Sequence, residues 1–215
     1  MKYNTVIFDL DGTLLDTLDD LADAVNHTLS VFGKAAVTRD DVRRFTGYGA
    51  AYLISMASGE PKESDYLKEI LGYYLKYYRE HANIKTAPYP GVIDTVDRLR
   101  ALGVKCGVLS NKPDPAVQIL IDLYFPGVFD FVSGEREGIT PKPDPSGINT
   151  AIAVLGGDKA TTLYVGDSES DVTAARNAEV AVAGVTWGFR DREVLVAEGA
   201  DVIADNCEEL FSACL

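Results

Sequence analysis

"VIFDLDGTLLDT", residues 6–17, decides how the chain reads. An apolar, β-branched run ends on Asp9, and Asp11, Gly12 and Thr13 follow at once. The run has the composition of a buried strand. Two carboxylates at its exit can be a turn held by side chain to backbone hydrogen bonds, or the start of a site. A calcium loop fits poorly, because its glycine belongs at the sixth position after further spaced ligands, and Gly12 comes too early.

Outward from this segment, short strand-like runs alternate with helical patterns: "GVKCGVLS", "FDFVSG", "TTLYVGD", "VAVAGVT" and "DVIAD". Such alternation predicts an α/β fold, a doubly wound, mostly parallel, Rossmann-like sheet with helices on both faces. Pro90-Gly91 opens one intervening helix, which closes on Gly103, and Pro113 opens another. With 215 residues, 47% of them hydrophobic, the chain has material for one sizeable core and a second small one. A net charge of −13 repels a phosphate backbone and argues against a nucleic-acid partner. The N-terminus shows no signal-peptide pattern, and no apolar run approaches the roughly 18 residues of a membrane span, so a cytoplasmic protein without a membrane partner is expected. Cys106, Cys207 and Cys214 are widely spaced and odd in number, which reads as inert thiols in a reducing compartment.

The alternation breaks between residues 16 and 86, where three helical stretches are expected. Leu18, Leu21, Val25, Leu29 and Phe32 recur at helical spacing and stop at Gly33. Thr38 with Asp41 forms a capping-box pattern. "SDYLKEILGYYLKYYREH" places Tyr66, Ile70, Tyr73, Tyr74, Tyr77 and Tyr78 on one broad face, the packed side of a small domain rather than a stacking platform for bases. The expected division is a core of residues 1–15 and 87–215 and an all-helical insertion of residues 16–86.

Doubly wound sheets collect ligands at the carboxyl ends of their strands. Asp9, Ser110 with Asn111, and Asp167 all lie at such ends, and Lys142 sits in a proline-held loop after another. Each has a plain alternative: a turn, a strand end, a helix N-cap, a solvated lysine. Together they offer carboxylates, a hydroxyl with neighbouring amides, and a cation, which suits a phosphate held beside a divalent metal.

"DLDGTLLDT", "LSNK", "TPKPDP" and "VGDSESD", in this order, resemble the four motifs of the haloacid dehalogenase-like hydrolase superfamily, over essentially the whole chain. The chain is most similar to the helical-cap phosphatase branch, and within it to phosphoglycolate phosphatases. The resemblance implies a Mg²⁺-dependent phosphatase in which Asp9 is the nucleophile, forming an aspartyl-phosphate, and Asp11 is the general acid and then the base. It implies metal ligation by the Asp9 carboxylate, the Asp11 carbonyl and Asp167, with Asp171 acting through water or by orienting Lys142. Ser110 and the Asn111 amide would bind phosphoryl oxygens, Lys142 would neutralise charge built up in transfer, and Thr13 would fix the turn carrying the two acids. In similar proteins the bond after this lysine can be cis, which Pro143 permits.

In "RRFTGYGAAYLI", residues 43–54, Gly47 and Gly49 bracket Tyr48. The "GYG" resembles a substrate-facing loop of phosphoglycolate phosphatases, so Gly47, Tyr48 and Gly49 are expected at the substrate; a plain interhelical turn is the alternative. The implied substrate is a small phosphorylated metabolite, 2-phosphoglycolate first, acted on by a monomer or homodimer. A pyrophosphatase, a beta-phosphoglucomutase-like enzyme and a non-catalytic phosphate-binding regulator are the alternatives. Trp187 is read as a packing residue, Arg190 as structural or a rim contact, and His27 and His81 as cap residues outside the chemistry.

Overall fold

The computed structural model describes residues 2–215. β1 (Thr5–Phe8) leads through the two-residue β2 (Leu15–Asp16) into four helices, α1 (Leu18–Val31), α2 (Arg39–Phe45), α3 (Ala50–Ser58) and α4 (Asp65–His81). The chain returns through β3 (Ala87–Pro88), which pairs antiparallel with β2 and ties the two crossings together. It then alternates: α5 (Val92–Ala101), β4 (Lys105–Pro113), α6 (Asp114–Tyr124), β5 (Phe131–Glu135), α7 (Ser146–Leu155), β6 (Thr162–Gly166), α8 (Glu169–Ala178), β7 (Ala181–Val185), α9 (Arg192–Ala197), β8 (Val202–Ala204) and α10 (Cys207–Cys214). The six runs read as strands form one sheet in the order β5-β4-β1-β6-β7-β8, parallel throughout.

The two-residue period of β1 explains the double winding. Val6 and Phe8 face one layer, packing with Val96 of α5, Leu120 of α6 and Leu210 of α10. Ile7 faces the other, with Ile148 of α7, Val172 of α8 and Leu195 of α9. From β1 the chain builds outward to β4 and β5 on one side and later to β6, β7 and β8 on the other. The carboxyl end of β1 is therefore the switch point where such sheets hold ligands.

Helices α1–α4 enclose a separate apolar cluster that includes Leu21, Val25, Leu29, Leu53, Ile54, Ile70 and Tyr74. Thr38 caps α2 as its sequence indicates: its hydroxyl accepts from the Asp41 N–H at 3.1 Å, and the Asp41 carboxylate accepts from the Thr38 N–H at 2.9 Å. The interval holds four helices rather than three. "AAYLISMAS" of α3 is apolar nearly throughout and so shows no polar-apolar period to read. The tyrosine face of α4 also divides. Tyr74 and Tyr78 are buried and stacked 5.5 Å apart, Tyr66 is exposed, and Tyr77 is sandwiched between His27 and His81 at 3.9 Å from each. Among the described residues no helix is long and apolar enough to cross a membrane. All three cysteines are buried and free, and burial pushes the Cys106 and Cys214 thiols up to about 12.

Candidate active site

Three strands of the sheet deliver the polar groups to one end. Asp9 follows β1, its N–H donating to the Val165 carbonyl at 2.8 Å, and Asp167 follows β6. Ser110 and Asn111 lie near the end of β4. Lys142 comes from the loop after β5, and its peptide bond to Pro143 is cis. The Asn111 side chain locks this loop to β4: its carbonyl oxygen accepts from the Lys142 N–H at 2.7 Å, and its amide donates to the Lys142 carbonyl at 2.9 Å.

Asp9, Asp167 and Asp171 each place a carboxylate oxygen within 4.8 Å of the others, all buried. Lys142 Nζ stands between two of them, 2.6 Å from Asp171 Oδ1 and 2.9 Å from Asp9 Oδ1. Among the described residues, that ammonium is the one group placed against Asp9 Oδ1. Burial pushes Asp9 up to about 7, against the pull of Lys142 and with help from Asp171 and Asp11. Asp167 is held well above the usual carboxylate range by burial and by Asp171 and Asp9, although the Phe189 N–H (2.7 Å) and the Thr13 hydroxyl (3.1 Å) donate to it. Burial works against the Lys142 charge, but Asp171 and Asp9 outweigh it and keep that ammonium charged.

Fully ionised, three carboxylates against one ammonium would leave two negative charges in excess in a buried space, which is why burial and mutual repulsion raise Asp9 and Asp167. A divalent cation with a preference for oxygen matches that excess, so the cluster can hold a metal ion. Asp171 has little capacity left: one oxygen accepts from Lys142 and the Tyr164 hydroxyl, the other from the Ser168 N–H and hydroxyl. Asp167 is seated between two glycines. A Cβ at Gly12 would stand 2.3 Å from Asp167 Oδ2, and one at Gly188 would stand 2.4 Å from Asp167 Cβ. Gly12 also has a φ of +85°, a region that favours glycine.

Asp11 points away from this cluster. It accepts from the Thr17 hydroxyl at 2.7 Å and from Lys112 Nζ at 2.9 and 3.2 Å, and the same ammonium donates to the Tyr78 hydroxyl of α4 at 2.5 Å. Above the acids, α1, α3, α4 and the loop before α3 close a cavity lined by Asp9, Asp11, Ser110, Asn111, Lys112 and Asp167 below and by Leu21, Gly47, Gly49, Ala50, Leu53, Tyr74 and Tyr78 above.

Core side chains grip the lid through its backbone. Arg190, buried after β7, is oriented by Glu169 at 2.8 Å and donates to the carbonyls of Arg43, Arg44 and Thr46. Asn111 and Ser170 both donate to the Gly47 carbonyl, at 3.0 and 2.9 Å, and Arg43 returns a bond to the Phe189 carbonyl. Trp187 packs on the core and donates to the Thr13 carbonyl at 3.1 Å.

The structure thus brings Asp9, Asp11, Ser110, Asn111, Lys142, Asp167 and Asp171 together. Thr13 belongs to the same cluster but spends its hydroxyl on Asp167 rather than on the cavity. Gly47 and Gly49 line the cavity; Tyr48 does not. The Tyr48 ring, expected at the substrate, lies outside that lining: between Gly47 (φ +121°) and Gly49 (φ +85°) it is 39% exposed and packs against Tyr52. Sequence reasoning read Tyr78 only as packing, Arg190 only as structural or a rim contact, and Lys112 only as a contributor, with Lys142, to a local positive pocket. The i, i+4 spacing of Tyr74 and Tyr78 was the only signal for the first.

Comparison with known proteins accords with this geometry. Residues 6–185 match the family profile described as haloacid dehalogenase-like hydrolase. Phosphoglycolate phosphatases of Agrobacterium fabrum and Mesorhizobium japonicum are 37% and 34% identical to the chain, over 96% and 95% of its length and 90% and 92% of theirs. The crystal structure of a protein from Lactobacillus delbrueckii subsp. bulgaricus, provisionally named phosphoglycolate phosphatase, superposes with a TM-score of 0.91 at 38% identity, covering 100% of this chain and 99% of that one.

Proposed function

The chain belongs to the haloacid dehalogenase-like hydrolases, and from that premise we propose that it hydrolyses 2-phosphoglycolate through a phosphoryl group carried on Asp9. The observation that carries this reading is the pairing of Asp9, buried at the switch point with only Lys142 at its Oδ1, with Asp11 two residues on in a separate environment. As a phosphoric monoester hydrolase it divides the reaction in two. Asp9 Oδ attacks phosphorus, and the bond to the ester oxygen breaks. Asp11 gives its proton to the departing alkoxide. Asp11 then takes a proton from water as that water attacks the phosphoryl group, releasing inorganic phosphate and free Asp9.

Asp9 and Asp167, with the Asp11 carbonyl, would hold Mg²⁺. Bound there, the ion supplies charge compensation between an anionic nucleophile and an anionic phosphate. Asp171 holds Lys142 in place, and Lys142 faces the charge that develops on the phosphoryl oxygens. Ser110 and the Asn111 main chain line the cavity where those oxygens would sit. Residues 16–86 serve as the lid that keeps bulk water from the phosphorylated enzyme. A monomer or a homodimer is compatible with this site, and the three buried free thiols suit the cytoplasm.

The test is phosphate release from a panel of small phosphomonoesters and pyrophosphate, with and without Mg²⁺. The expected result is metal-dependent turnover led by 2-phosphoglycolate. A folded protein that turns over none of them would leave the site to binding or regulation.

A further inference from the structure

The cavity has a charged floor and a nearly apolar roof. Leu21, Ala50 and Leu53 make most of its upper wall apolar, and the side-chain polar groups there are the hydroxyls of Thr46, Tyr74 and Tyr78, none of them charged. Lys112 is the one cation among the residues lining it, and only 5% of that residue is exposed. Burying an ammonium in such a wall is costly unless it is partnered. Here the partners are Asp11 and the Tyr78 hydroxyl, one on the core and one on the lid. The phosphate side of the site already has its own cation in Lys142.

We propose that Lys112 selects the leaving group: its ammonium receives a carboxylate on the alcohol half of the substrate, exchanging Asp11 for it while Tyr78 keeps Nζ aimed into the cavity. This rests on the phosphomonoesterase reading and narrows it to a substrate class. Asp11 must reach the ester oxygen, and Lys112 Nζ is one hydrogen bond, 2.9 Å, from Asp11. Lys112 Nζ therefore lies within about two hydrogen-bond lengths, ~6 Å, of the ester oxygen, so a carboxylate held between the two is carried on a short alcohol. Phosphate esters of short hydroxy acids meet that limit. A long sugar phosphate with its second anion at the far end does not. Because the lid supplies Tyr78, the lysine is fully oriented only when the lid is closed.

The test compares kcat/KM for 2-phosphoglycolate and for ethyl phosphate, its two-carbon analogue without the carboxylate, in wild type, Lys112→Met and Tyr78→Phe. Ethyl phosphate turnover by wild type reports on the phosphatase reading; the ratio between substrates reports on this inference. A site built to pair with a polar group rejects the analogue lacking it strongly, so wild type should favour 2-phosphoglycolate by at least about 100-fold. In Lys112→Met the ratio should collapse to within about threefold of unity, and competitive inhibition by glycolate should disappear. Tyr78→Phe, which removes a partner of the ammonium without touching Asp11, should lower the ratio by about three- to tenfold, and it carries the test if Lys112→Met fails to fold. Parallel loss on both substrates with the ratio unchanged would overturn the inference, and so would a wild type indifferent to the carboxylate.

Discussion

The floor and the lid of this site are built on opposite plans. On the floor, the groups proposed to carry the chemistry are side chains whose positions are dictated by strand ends: Asp9 after β1, Ser110 near the end of β4, Asp167 after β6. In the lid, attachment to the core runs largely through backbone carbonyls, those of Arg43, Arg44, Thr46 and Gly47, gripped by Arg190, Asn111 and Ser170. A carbonyl is the same in every residue, so the lid can vary in sequence while keeping its seat. The floor cannot.

That contrast is testable, beginning at the floor. Asp9→Asn should fold and lose at least about 10⁴-fold in kcat, because amide nitrogen and oxygen cannot replace the nucleophile. Parallel circular dichroism and phosphate-release assays check both halves. In the metal-free state the variant should be no less stable than wild type above pH 7, since it removes a carboxylate that burial disfavours when charged.

The latch comes next. Arg190→Ala should cost about 10- to 100-fold in kcat/KM by releasing the lid, and about 1–3 kcal/mol of stability, because it strands Glu169 and three carbonyls. Arg190→Lys should recover little of either, as one ammonium does not span three acceptors and a carboxylate. Activity unchanged in Arg190→Ala would mean that the lid is held by its side chains after all.

Metal binding should follow the protonation of the floor. Asp9 is pushed up to about 7 in the folded chain, against about 3.9 unfolded. An acid raised in this way costs stability as pH climbs from about 4 to 7, because the unfolded state gives up its proton first. Mg²⁺ binding requires the ionised form. The rise in Tm on adding Mg²⁺ should therefore be larger at pH 8 than at pH 5.5; at a hundred times Kd it corresponds to about 2.7 kcal/mol. An equal shift at both pH values would separate the metal site from Asp9. The smallest effect is expected at Tyr48: Tyr48→Ala, altering a ring outside the cavity, should change kcat/KM by less than about twofold.

Much of this was legible in the sequence because the floor's groups sit where periodicity ends. Six β-branched runs located six strands, and the polar groups lie at or beyond the ends of four of them. Thr38 and Asp41 announced a helix start through complementary side-chain chemistry. Other features left no such mark. The apolar run of α3 has no period to reveal a helix. Tyr48 stands between two glycines of positive φ with its ring outside the cavity lining, which composition does not encode. Lys112 reads in sequence as a charge near the phosphate groups, and only folding brings Asp11 and Tyr78 to it from positions far away in the chain. Arg190 finds its partners across the lid interface, on atoms that carry no residue identity.

The most direct measurement of the central claim is rapid acid quench during turnover of 2-phosphoglycolate, followed by mass analysis of the peptides. The account expects a phosphoryl group on the peptide containing residues 6–17, localised to Asp9 and absent from Asp9→Asn. Continued turnover with no phosphorylated peptide, or with the group on another residue, would contradict it.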